Sequence, residues 1–79
     1  MELLEILLRK KKSLLNDIEY QTKIKEESAL MNAWDIVKIT RETISFNKRM
    51  VFVIDKSIKE AGYVDSEIMD YMEQINLKQ

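Results

Sequence analysis

The side chains that could do chemistry in this 79-residue chain are carboxylates and long cations, because it has no cysteine and no histidine. That absence removes thiol nucleophiles, imidazole bases, zinc fingers and haem ligation. Glu26, Glu27, Asp35, Glu42, Asp55, Asp65, Glu67, Asp70 and Glu73 are spread along the chain. General acid–base work needs two such groups converging with shifted pKa values. Di-metal bundles pair Glu with a Glu-x-x-His motif. We therefore read the carboxylates as solvated helix faces, with no catalytic residue, no metal and no cofactor.

Two basic sets remain. Arg9-Lys10-Lys11-Lys12 could grip a polyanion or an acidic membrane surface. Four consecutive residues wrap once around a helix, so they form no focused patch, and Glu5 and Asp17 dilute them. Arg41, Lys48, Arg49 and Lys56 form a loose stripe that could clamp an anionic metabolite, as Arg and Lys do in all-α chorismate mutases. The characteristic spacing of that family is missing, so a small all-α enzyme is the third-ranked alternative. Thirteen basic against fourteen acidic residues leave a net charge of −1. A nucleic-acid binder is normally more basic, and no helix-turn-helix with a short second helix is evident, so a DNA-binding regulator of phage or bacterial type ranks second. No nucleic acid, membrane or small-molecule substrate is expected as a partner.

These groups must be carried by helices. One glycine and no proline leave too little turn punctuation for a β-sandwich or barrel. Apolar residues at 46% and charged residues at 34% fit an amphipathic helical chain. The longest apolar run, Met50 to Ile54, is far short of the ~20 residues of a membrane span. No signal-peptide pattern is present, and a cytoplasmic location is expected.

The periodicity predicts a single domain over 1–79 with three helices. Helix one covers about 2–30, with Leu8, Leu15, Thr22 and Ala29 at seven-residue spacing. Asn32 is the expected N-cap of helix two, with Asp35 at N3. Helix two covers about 33–61. Val37, Ile44, Val51 and Ile58 form one heptad column, and Ala33, Thr40, Asn47, Ile54 and Ala61 the next. Asn47 is a polar residue that can fix register. A third column, Ile39, Phe46 and Val53, makes helix two apolar over an arc wider than one partner helix covers. Gly62 is expected to end helix two in a left-handed conformation. Asp65 would cap a short amphipathic helix over about 66–76, acidic outside, folding back over the open side of helix two. Trp34 is expected to close the end of the bundle.

The fold class is thus all-α: a long antiparallel hairpin plus a short C-terminal amphipathic helix, as a three-helix or an oligomeric bundle. The chain is read as non-enzymatic, with another protein helix or a second copy of itself as partner. Phe46, Met50, Val53, Met69, Met72 and Ile75 are the candidate partner-binding residues, since flexible thioethers suit a surface that repacks around a helical ligand.

Leu3-Leu4-Glu5-Ile6-Leu7-Leu8, Lys12-Ser13-Leu14-Leu15 and Ala29-Leu30-Met31-Asn32-Ala33-Trp34-Asp35-Ile36-Val37 together resemble the FlgN/FliT type of flagellar export chaperone over about residues 3–58. Arg49 before Ile54-Asp55 stands where that family carries an Arg in its second helix. The resemblance implies a bacterial cytoplasmic chaperone holding the amphipathic helix of a secreted subunit. Residues 66–76 would then be a client mimic or lid.

Overall fold

The computed structural model describes residues 2–77, with the side chain of Leu77 outside the description, as is Lys78, the only basic residue after Gly62. Within those residues the chain forms α1 (Leu3–Leu30), α2 (Trp34–Glu60) and α3 (Asp65–Leu77). Lys11 pairs with Asp55 and Asp17 with Asn47 across the first two helices, so advancing along α1 means retreating along α2. The hairpin is antiparallel.

The turn between them corrects one expectation. Asn32 does not cap α2. It closes α1, in the left-handed conformation at φ 57°. The Asn32 N–H donates to the Ala29 carbonyl and the Ala33 N–H to the Ser28 carbonyl, the two bonds of a Schellman motif. Asparagine suits both jobs, because its short amide tolerates left-handed backbone as well as it caps a helix. Ala33 occupies the α2 N-cap without a side-chain bond. Gly62 repeats the device after α2 at φ 80°, its N–H donating to the Lys59 carbonyl. Asp65 is likewise inside α3 rather than before it, since the Val64 carbonyl accepts the bond from Ile68 N–H.

The main core joins Leu4, Leu8 and Leu14 of α1 to Ile54 and Ile58 of α2 and Ile75 of α3. It therefore sits toward the end of the hairpin away from the loop. At the loop end the burial is thinner, with Val37, Thr40 and Ile44 on α2 and Ser28 on α1. Thr40 satisfies its own hydroxyl by donating to the Ile36 and Val37 carbonyls. Asn47 donates from Nδ2 to Asp17 Oδ2 at 2.7 Å, which ties the helices in one register.

The third helix lies elsewhere than expected. Its backbone packs along α1, and it makes no close backbone approach to α2. Tyr71 hydrogen-bonds Glu2, and Lys12 Nζ donates to Asn76 Oδ1 at 2.8 Å, so α3 runs in the same sense as α1. The apolar face of α1 serves both neighbours: Leu4 and Leu8 lie in one core with Ile54 and Ile58 of α2 and with Ile75 of α3. Trp34 is another correction. It starts α2 and stands 60% exposed rather than closing the bundle.

The result is an elongated molecule, 45 × 26 × 19 Å with a radius of gyration of 15.4 Å. A domain of this length is ordinarily near 12 Å. The accessible surface is 6029 Å², against about 5,000 Å² for a compact monomer of the same mass.

Candidate functional site

The six candidate binding residues do not form one patch. Ile75 is core, 3% exposed. Met50 is half-buried against that core. Met72 edges a small crevice between α1 and α3, beside Leu8, Lys11 and Lys12. Met69 is exposed farther out on α3, beside Asp70 and Glu73. Phe46 (56% exposed) and Val53 (51% exposed) stay on the outer face of α2. The Met-rich surface expected from the sequence is therefore divided between two helices whose backbones make no close approach.

What α2 does present is a continuous stripe. Ile36, Ile39, Thr43, Phe46, Met50, Val53 and Ser57 recur at alternating spacings of three and four. Alternation of that kind is the mark of a coiled-coil seam. Ile36, Ile39, Phe46 and Val53 are exposed, while Thr43, Met50 and Ser57 are half-buried. The seam that faces α1, through Val37, Thr40, Ile44, Asn47, Val51, Ile54 and Ile58, has the same alternation. So α2 carries two seams, and α1 fills one. Three columns were visible in the sequence; the positions of Ile36, Thr43 and Ser57 on the second seam were missed, although the 3–4 spacing was there to count. Thr43 and Ser57 hid it, because both turn their hydroxyls back to the Ile39 and Val53 carbonyls and present mainly carbon outward.

Apolar exposure is high overall. Among the described residues, eight apolar side chains are buried and fifteen large ones are exposed. Scattered exposed apolar residues are ordinary, but a contiguous stripe marks an interaction surface.

The charged sets resolve into separate pieces. In the first run, Arg9 pairs with Glu5 at 3.0 Å and Lys11 with Asp55 at 2.7 Å, and Lys12 holds Asn76. Arg9 pairs within α1, Lys11 ties α1 to α2 and Lys12 ties α1 to α3, and Lys10 alone of the four is exposed with no such bond described. In the second set, Arg41 and Lys48 share a shallow depression with Lys25, Ile44 and Ser45. Lys56 lies on another, with Phe52, Asp55, Lys59 and Glu60. They form no common clamp. Among the described residues no group of three or more acidic side chains is placed to hold a metal ion. The Tyr71 phenol is pushed up to about 12, chiefly because it donates to the Glu2 carboxylate, then by partial burial and by the negative charge of Glu2 and Glu5. That shift belongs to the α1–α3 junction and not to the α2 stripe.

No helix of the described chain is long and apolar enough to cross a membrane. No family model, curated protein or solved structure matches the chain. It is identified here by its architecture: an antiparallel hairpin with a short third helix on α1 and an open second seam on α2.

Proposed function

We propose that the chain is a non-enzymatic helical interaction module whose outer α2 stripe receives an amphipathic helix. One observation carries this: a seven-position seam from Ile36 to Ser57 of which four side chains are exposed and three half-buried. Helix-in-groove recognition is the applicable mode, with Phe46 as the central aromatic anchor. The export-chaperone resemblance supplies one class of client, the amphipathic helix of a secreted flagellar subunit in a bacterial cytoplasm. In that version α3 is no lid, because its place on α1 leaves the stripe open.

The test is site-specific cross-linking. A photoreactive residue replaces Phe46, and another replaces Arg41, on a different side of α2. Adducts from position 46 to a helical segment, absent from position 41, are the expected outcome. Equal or no adducts from the two positions overturn the proposal. For the flagellar version, mass spectrometry of the adducts that finds no flagellar or export component sinks it.

A further inference from the structure

Along one flank of the open seam run Asp35, Glu42, Arg49 and Lys56, each seven residues after the last. All four are exposed. They occupy the position just before each of Ile36, Thr43, Met50 and Ser57, where charges choose partner and orientation in a coiled coil. Their order is acidic, acidic, basic, basic. Such a row is complementary to itself when reversed. Lys56 has one weak competitor on its own helix, Glu60 at 3.9 Å.

We infer that the occupant of the outer α2 stripe is the same stripe of a second copy, running antiparallel about a two-fold axis between Ile44 and Ser45. This deepens the interaction-module reading and rests on it. In this register Ile36 lies level with Val53 of the second copy, Ile39 with Met50, and Thr43 with Phe46. Those layers bring Glu42 beside Arg49 of the other chain and Asp35 beside Lys56, with each pair repeated by symmetry. A parallel pairing would gather the acidic halves together and the basic halves together. The opposite flank of the seam, Thr40, Asn47 and Ile54, is already buried against α1, so α1 packs at the side of the new contact. Two hairpins thereby complete a four-helix bundle around both seams. The area agrees. The chain exposes about 1,000 Å² more than a compact monomer of its mass, and a standard interface takes about 800 Å² from each partner.

The experiment measures the mass of the full chain by sedimentation equilibrium, at low salt and at molar salt. The expected result is twice the chain mass of 9.4 kDa. Glu42→Arg and Arg49→Glu each set like charges against each other in two symmetric pairs. Each raises the dimer dissociation constant about tenfold at low salt and less at high salt. The double swap Glu42→Arg/Arg49→Glu restores it. Both sites are exposed, and circular dichroism checks that helix content is kept. The cross-linker at position 46 should map to the segment around Thr43 of the other copy. A dimer whose single reversals have no effect, or that the double swap does not restore, overturns the antiparallel register. A monomer at all concentrations overturns the inference. A monomer that still cross-links from position 46 to a foreign helix leaves the interaction-module reading standing. A monomer without such adducts removes both.

Discussion

Asn47 is 5% exposed and holds Asp17 across the hairpin, which makes it the residue whose removal is felt most simply. Asn47→Ala strands an Asp17 oxygen that is partly shielded. We expect a loss of about 1–3 kcal/mol by urea denaturation. Tyr71 makes a pH-dependent contribution instead. Its folded pKa, about 12, lies above its ordinary 10.0. Its stabilising bond to Glu2 is complete below pH 10 and is lost as pH rises toward 12. Comparing the wild type with Tyr71→Phe over that range isolates the effect, since the lysines titrate in both. Equal alkaline melting curves for the two proteins would refute it. The sequence displayed all of these residues but not their pairings, because Asp17 and Asn47 are 30 positions apart and Glu2 and Tyr71 are 69 apart. A polar residue in an apolar column signals that a partner is needed, and leaves open which one.

At the scale of the helix, periodicity made the three elements legible almost to their ends. Gly62 was legible because a lone glycine after a long helix has one natural use. Asn32 was misread because Asp35 three residues later imitates a capping box, while the left-handed turn leaves no mark in spacing. The distinction has a measurable consequence. Asn32→Gly should leave the thermal midpoint nearly unchanged, whereas Asn32→Val should cost about 1–2 kcal/mol, since a β-branched residue resists positive φ. Asn32→Ser separates the two roles: it would be nearly neutral at a side-chain cap, but at positive φ it should cost about 1 kcal/mol. Gly62→Ala meets no neighbouring atom within 4 Å, and its expected cost of about 1 kcal/mol is entirely backbone strain. For α3, the apolar face was legible but its neighbour was not. Amphipathic spacing says that a face must be covered and is silent on which helix covers it. Ile75→Ala should therefore cost about 2–4 kcal/mol and release α3, while Met69→Ala should stay within about 0.5 kcal/mol. Similar losses for both, by chemical denaturation, would place Met69 in the core.

For the whole molecule, the unusual quantity is surface. A radius of gyration of 15.4 Å and a small core describe an extended hairpin with much of its second α2 seam exposed. Domains below about 80 residues gain few kcal/mol from one core, and added helix packing is a common remedy. If two copies pair through the stripe, stability should depend on protein concentration, because dimerisation would add to the folding free energy by mass action. A thermal midpoint that rises with concentration in the wild type, and stays constant in Phe46→Lys, is the expected pattern. A constant midpoint in both proteins counts against any self-association through the stripe.

The seat of α3 on α1 has a further consequence, in time rather than in space. Leu4 and Leu8 are made well before Ile75, which packs in the same core. At 5–20 residues per second, the interval between Leu8 and Ile75 is roughly 3 to 13 s. During synthesis the hairpin can zip from its Asn32 turn, yet the first turns of α1 keep an open apolar flank until α3 arrives. The first turns of α1 thus finish packing later than the turns beside Asn32.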